Sequence, residues 1–284
     1  MEIVVGVLLN KKNIFLGVLL LLSSNSAISQ NNQIGNLIFS DSSEGVFRYD
    51  FSTKRLENIY RTNNSFIGRI DRWGSENIIF SECLISGKCE IKLINQNSGK
   101  VNVLGNGNCP VVFKELLFFC DRGNALKYAK VIADKINFND VITIAKDVNH
   151  ERIVSSEQGL FIVDSSWALS YYNFTNGEII SSNDKLVPLF YWEQKNALVA
   201  YSLHKKKYFL VRVDDKSLVI KDVDLYISGA PITVFDGRGV IFSKAVRTGL
   251  LGESHHIFYQ NLLGEERLLL KNKIINSGFF ERGE

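Results

Sequence analysis

GRGVIFSK (Gly237–Lys244) shows the feature that determines the fold of this chain: a short apolar run that follows a turn and ends at a small or charged residue. Related runs occur earlier as GNLIFSD (Gly35–Asp41), ENIIFSE (Glu76–Glu82) and ELLFFCD (Glu115–Asp121). Aligning the runs on one hydrophobic position gives six anchor residues: Phe39, Phe80, Phe119, Ile162, Tyr201 and Phe242. Successive anchors lie 39 to 43 residues apart, and a period near 40 residues is typical of four-stranded propeller blades.

The anchor runs are apolar on consecutive residues, whereas a half-exposed strand alternates apolar and polar side chains. Consecutive apolar residues indicate strands that are covered on both faces, as the middle strands of a propeller blade are by the neighbouring blades. The three prolines agree with this interpretation. Pro110, Pro188 and Pro231 stand at the start of predicted inner strands, where a missing backbone donor is tolerated.

The two ends of the chain predict how the ring closes. The last stretch, INSGFFERGE (Ile275–Glu284), matches an inner strand and its turn, but no second strand follows it. We therefore expect residues 274–282 to supply the innermost strand of the blade formed by residues 36–60, which leaves no open edge at the seam. The fold class predicted is all-β, a six-bladed β-propeller of four-stranded blades, in a single domain over residues 30–284.

At the level of single blades, the chain resembles the TolB-like family of β-propellers. The best blade is FDGRGVIFSKAVRTGLLGESHHIFYQNLLGEERLLL (Phe235–Leu270), with Asp236-Gly237 at the first turn and Ile257-Phe258-Tyr259 in the third strand. A weaker copy spans Ser75–Leu104. The resemblance implies a propeller fold and leaves the function open, because the proline that the family carries before Asp-Gly is absent from every copy.

The N-terminus has the pattern of an export signal. Lys11 and Lys12 precede the apolar run Asn13–Leu22, which is short for a membrane span and is followed by small polar residues. We predict a signal peptide over residues 1–29, a periplasmic or secreted protein, and no stable membrane insertion after cleavage. The alternative is an uncleaved membrane anchor.

Four cysteines in an exported chain favour disulfides. Cys83 and Cys89 flank a short loop between the second and third strands of one blade, and Cys109 and Cys120 flank a predicted hairpin that turns near Lys114. The predicted pairs are therefore Cys83–Cys89 and Cys109–Cys120. A four-thiolate zinc site is the alternative, although no C-x-x-C pair supports it.

Blade topology sorts the candidate binding residues onto one side of the ring. We call this side the loop face: it carries the connections from the second to the third strand of each blade and from each outer strand to the next inner strand. The candidate residues predicted on it are His150, Arg152, His204, Lys206, Arg247, His255 and His256. Such a group could attract an anionic or polar partner, for example a protein. The alternative is that they are ordinary solvated loop residues.

The sequence contains no catalytic signature such as G-x-S-x-G or H-E-x-x-H, so no catalytic residues are predicted. A formal net charge of +3 gives no basic excess of the kind that nucleic-acid binders carry.

We predict an exported, monomeric, non-enzymatic binding or scaffolding module without cofactor or metal. The alternative is a propeller hydrolase or lyase at the channel mouth. Acidic residues in the turns opposite the loop face raise that alternative, although turn preference explains them more simply: Glu76, Glu115, Glu157, Glu193 and Asp236.

Overall fold

The computed structural model describes most of the chain from residue 35 onward. The described ranges are 35–132, 135–149, 152–225, 233–235, 239–248, 252–261 and 264–282. The predicted signal peptide (residues 1–29), His150, Pro231 and Asp236 lie outside these ranges. No helix among the described residues is long and apolar enough to cross a membrane.

The described residues form strands joined by tight turns and by two short 3₁₀ turns. The first twelve strands are β1 (Gly35–Asp41), β2 (Gly45–Asp50), β3 (Arg55–Arg61), β4 (Ser65–Trp73), β5 (Asn77–Leu84), β6 (Cys89–Asn95), β7 (Val101–Asn106), β8 (Asn108–Phe113), β9 (Leu116–Cys120), β10 (Leu126–Ile132), β11 (Lys135–Ile136) and β12 (Ile142–Ala145). The others are β13 (Val154–Ser155), β14 (Gly159–Val163), β15 (Ala168–Asn173), β16 (Ile179–Lys185), β17 (Val187–Trp192), β18 (Ala197–Ser202), β19 (Lys207–Asp214), β20 (Ser217–Val223), β21 (Thr233–Phe235), β22 (Gly239–Thr248), β23 (Gly252–Asn261), β24 (Glu266–Leu270) and β25 (Ser277–Arg282).

These strands build the predicted six-bladed propeller. From the inner to the outer strand, the blades are β25-β1-β2-β3, β4-β5-β6-β7, β8-β9-β10 with β11 and β12, β13-β14-β15-β16, β17-β18-β19-β20 and β21-β22-β23-β24. We number them blades 1 to 6 in this order. In blade 3 the outer strand is split into β11 and β12, both of which pair with β10. The all-β fold class is confirmed.

The predicted closure of the ring is also confirmed. β25 pairs antiparallel with β1 from Gly35↔Arg282 to Ser40↔Ser277. The last described strand therefore becomes the innermost strand of the blade that the first strands build. β25 thereby covers the edge of β1 that would otherwise be unpaired at the seam.

The core consists of layers between neighbouring blades. Ile38 of β1 packs with Phe80 of blade 2, whereas Phe39, on the other face of β1, packs with Ile241 of blade 6. Clusters of the same kind join each remaining pair of neighbouring blades. The anchor strands are thus covered on both faces, which explains their consecutive apolar residues. Tyr201 is the exception among the six anchors, because it stays half-buried.

Three of the inner strands contain a bulge. The register shifts between Ile67 and Ile70 in β4, next to Pro110 in β8, and next to Pro188 in β17. Bulges of this kind bend a strand, and Pro110 and Pro188 lie near strand starts as predicted. The bulge in β4 requires glycine at position 68, because a Cβ there would approach Ser81 Oγ to 2.6 Å.

Both predicted disulfides form. Cys83 and Cys89 are direct register partners across β5 and β6, with Cα atoms 4.0 Å apart. Cys109 and Cys120 join β8 to β9, with Cα atoms 5.8 Å apart. The zinc alternative is therefore wrong, because no thiolate remains to bind the metal.

Deleting residues 272–284 should destroy cooperative folding. The deletion removes β25 from β1, and it takes Ile275 and Phe279 out of the clusters that cover the two faces of blade 1. We expect an insoluble protein or a broad, non-cooperative thermal transition by circular dichroism. The matched control is a chain that ends after Arg282, which should melt like the parent. A 272–284 deletion that melts like this control would contradict the closure.

Candidate functional site

One acidic position recurs at the end of the anchor strands on the loop face. In blades 1, 3 and 4 it is Asp41, Asp121 and Asp164. Each of these carboxylates accepts hydrogen bonds from backbone N–H groups of the following turn: Ser43, Gly123 and Ala125, Ser166 and Ala168. Aspartate in this position therefore caps the turn from the second to the third strand.

Blade 2 uses the same position differently. It carries Glu82, and the Cys83–Cys89 disulfide holds the turn that an aspartate caps elsewhere. The Glu82 carboxylate turns toward the outer strand of blade 1 and accepts four hydrogen bonds. The donors are Tyr60 Oη (2.8 Å), Thr62 Oγ1 (2.8 Å), Ser65 Oγ and Lys92 Nζ.

Glu82 and Lys92 form a largely buried ion pair, with side chains 9% and 17% exposed. Burial raises the pKa of Glu82, but the hydrogen bonds from Lys92, Ser65, Thr62 and Tyr60 outweigh it and lower the pKa to about 2. For Lys92, burial lowers the pKa and the hydrogen bond and charge of Glu82 raise it more, so the net shift is upward. Burial, followed by the hydrogen bond to Glu82, raises the pKa of Tyr60. All three groups therefore keep one protonation state at neutral pH.

A groove with a volume of about 290 Å³ opens above this ion pair on the loop face. Its floor is the cluster of Tyr60, Ser65, Glu82 and Lys92, and its rim is formed by Arg61, Asn63, Leu84, Lys88 and Glu90. Because hydrogen bonds fix the floor in advance, a ligand would meet a pre-organised polar surface.

The rim combines charge with exposed apolar side chains. Arg61 is exposed, and Lys88 pairs with Glu90 at 3.2 Å. Leu84 and Ile85 are 46% and 89% exposed on the loop that the Cys83–Cys89 disulfide closes. Apolar side chains on a cross-linked loop lose little further conformational freedom on binding, which suits a docking surface.

The candidates predicted from sequence fall on blades 4 to 6. His204 and Lys206 are exposed at the β18–β19 turn, and Arg152 is half-buried at the entrance to blade 4. Arg247 and His255 are exposed in β22 and β23. Both residues lie where β22 and β23 pair beyond the core of the blade, from Ser243↔Ile257 to Thr248↔Gly252.

His256, beside His255 in β23, is half-buried. Its Nδ1 accepts a hydrogen bond from Asn272 N at 3.3 Å, and its ring lies over Phe258. Among the described residues, no group of three or more His, Cys, Asp or Glu side chains is arranged to hold a metal ion.

The groove between blades 1 and 2 lies on the predicted loop face, but it contains none of the candidate residues predicted from the sequence. Its residues come from strands β3 to β6 and from the connections between them, and no local motif contains them. One signal was available in the sequence: Glu82, followed by Cys83, replaces the turn-capping aspartate of blades 1, 3 and 4.

Comparisons with solved structures agree with the fold. TolB from Acinetobacter baumannii matches with a TM-score of 0.63 and 12% identity, covering 92% of this chain and 70% of TolB. A protein of unknown function from Bacteroides caccae matches with a TM-score of 0.58 and 10% identity, covering 88% and 100% of the two chains. A Bacteroides fragilis protein described as a candidate 6-phosphogluconolactonase matches with a TM-score of 0.50 and 8% identity, covering 89% and 99%.

At these identities the likenesses show the fold, and they confirm the TolB-like resemblance at that level. No protein-family model and no curated protein matches the chain.

Replacing Glu82 by Gln should lower the free energy of unfolding by about 2 kcal/mol at pH 7, because the buried Lys92 ammonium loses its charged partner. A carboxyl whose pKa falls from 4.5 to about 2 on folding stabilises the protein above pH 4.5 and loses that effect as pH falls toward 2. The difference in the free energy of unfolding between the parent and Glu82→Gln, measured by urea titration, should therefore shrink as the pH falls from 4.5 toward 2. Glu57→Gln, at the exposed Arg48–Glu57 pair, is the control and should cost under about 0.5 kcal/mol. A pH-independent difference would contradict this assignment.

Proposed function

We infer that the protein is an exported binding propeller that docks a polar partner, such as a protein, on its loop face at the groove between blades 1 and 2. The observation that carries this proposal is the buried Glu82–Lys92 ion pair under an open groove. In blades 1, 3 and 4 the same repeat position caps a turn, and its further contacts are the Asp121–Lys127 ion pair at 2.6 Å and a hydrogen bond from Ile274 N to Asp41. Blade 2 therefore departs from the pattern of blades 1, 3 and 4 at this position. The loop that carries Leu84 and Ile85, closed by the Cys83–Cys89 disulfide, lies at the rim of the same groove.

Binding fits the groove better than catalysis. A general acid or base works best with a pKa near the operating pH, whereas Glu82 and Lys92 are each stabilised in the charged form. The Glu82 carboxylate is also saturated by four donors. Such a group can hold a surface in shape, but it is poorly suited to exchange protons with a substrate.

The two disulfides support the proposed periplasmic or extracellular location. Two disulfides require an oxidising compartment in most organisms. The predicted signal peptide over residues 1–29 would deliver the chain there. We therefore expect the partner in the cell envelope or outside the cell. The positive charges of Arg61 and Lys88 at the rim favour contact with an anionic surface of that partner.

One observation favours the alternative that the protein is an enzyme. Asp71 lies on an inner strand, and burial raises the pKa of its carboxyl, opposed in part by the charge of Arg69. However, Asp71 accepts hydrogen bonds from Val112 N at 2.8 Å and from Arg72 N at 2.8 Å. The bond from Val112 N holds β4 against β8, which gives this carboxyl a structural role.

The test begins with crosslinking in the native envelope to identify the partner, followed by affinity measurements on the purified pair. The double variant Arg61→Glu/Lys88→Glu should weaken binding at least tenfold, because it reverses two exposed rim charges. Its melting temperature should change little, since an exposed ion pair such as Lys88–Glu90 contributes little to stability.

Two controls locate the site. Glu193→Gln, in an exposed turn on the opposite face, should leave the affinity unchanged. The triple variant Arg247→Ala/His255→Ala/His256→Ala tests the candidates on blade 6. Loss of affinity in the triple variant alone would move the site along the loop face to blade 6. Unchanged affinity in Arg61→Glu/Lys88→Glu would contradict the groove proposal.

A further inference from the structure

A second polar feature lies at the centre of the ring. The inner strands β25, β4, β8, β13, β17 and β21 surround a central channel, and all of them begin on the loop face. Arg69 occupies the bulge in β4, and its Nη1 donates a hydrogen bond to the carbonyl oxygen of Ile153, directly before β13. Its side chain therefore reaches from the inner strand of blade 2 to that of blade 4.

The charge of Arg69 is poorly compensated. Its Nε is buried and has no hydrogen-bond partner, and none of the ion pairs formed by the described residues includes Arg69. Burial lowers the pKa of Arg69, and Asp71 opposes this only partly. Because a guanidinium stays protonated in proteins, Arg69 keeps a positive charge inside the ring that Asp71 offsets only in part. Such a charge is costly unless an anion accompanies it.

A second unpartnered donor lies beside the bulge. The side-chain Nδ2 of Asn276 is buried and has no hydrogen-bond partner. Ser277, the next residue, accepts a hydrogen bond from Ile70 N through its Oγ at 3.2 Å. Since Arg69 precedes Ile70 and Asn276 precedes Ser277, this bond brings the backbones of Arg69 and Asn276 together where β25 meets β4.

We propose that this end of the channel binds a small-molecule oxyanion, a carboxylate or phosphate group, through Arg69 and Asn276. The Nε and Nη2 groups form one edge of the guanidinium plane, and that edge matches two oxygens of such an anion. Asn276 Nδ2 donates to an anion oxygen as well. The site is separate from the groove between blades 1 and 2, and it holds whether or not the groove binds a partner.

Arg48 supplies a matched comparison within the same chain. Its Nε is also buried without a hydrogen-bond partner. Its remaining nitrogens, however, reach Glu57 at 3.5 Å and Gln96. A carboxylate therefore already accompanies the charge of Arg48, so no anion is expected there.

The experiment measures binding of inorganic phosphate and of succinate to the full-length purified protein, by calorimetry and by the rise in melting temperature, with sodium chloride at matched ionic strength. The parent should show saturable binding of at least one of the two anions, and the anion that binds identifies the class of ligand. Arg69→Gln should weaken that binding at least tenfold, whereas Arg48→Gln should retain it. Binding of neither anion by the parent would overturn the proposal, as would unchanged affinity in Arg69→Gln.

Two further variants keep the test decisive if Arg69→Gln does not fold. Arg69→Lys keeps the charge and loses the paired N–H edge, and Asn276→Ala removes a donor that the protein itself leaves unsatisfied. Both should melt close to the parent without anion, and both should bind the anion about tenfold more weakly. Parent-like affinity in both variants would overturn the proposal.

Discussion

The anchor strand of each blade carries apolar side chains on both faces, so no blade can bury its core alone. In β1, Ile38 faces blade 2 while Phe39 faces blade 6, and both side chains are fully buried. Every blade therefore depends on two neighbours. The apolar surface can be removed from water completely only in a closed ring, and β25 supplies the strand that closes it.

Polar contacts at the seam lie on the loop face, where the chain enters β25. Ser243 Oγ accepts a hydrogen bond from Ile275 N at 2.6 Å, and Asn276 N donates to Ser40 O at 2.9 Å. Asp41 accepts from Ile274 N while it caps its own turn. These contacts fix the segment that carries Asn276 and hold blade 1 against blade 6. Contacts with blade 2 come from Ser40 Oγ, which donates to Gly68 O at 3.0 Å, and from Ser277 Oγ, which accepts from Ile70 N at 3.2 Å. Both proposed sites thus depend on a closed seam.

The sequence predicted the blades and the disulfides, because the repeat period, the anchor residues and the cysteine spacing can each be read from short stretches of the chain. The candidate residues predicted on the loop face are spread over several blades, with His204 on blade 5 and His255 on blade 6, and their role in binding stays a prediction. The contact of Glu82 with Tyr60 joins two blades, and that of Arg69 with Ile153 spans residues 84 apart. Contacts of this kind depend on side-chain direction in the assembled ring, which no repeat pattern encodes.

Hydrogen exchange of the backbone amides tests the closed ring most directly. If β25 is an integral strand of blade 1, its amides should exchange as slowly as those of β1 and of the anchor strand β5, through global unfolding. Peptides that cover residues 35–41, 77–84 and 277–282 report the three strands in one mass-spectrometry experiment. We expect the amides of all three strands to show the same degree of protection from exchange. Exchange of residues 277–282 within seconds, while residues 77–84 stay protected, would contradict it.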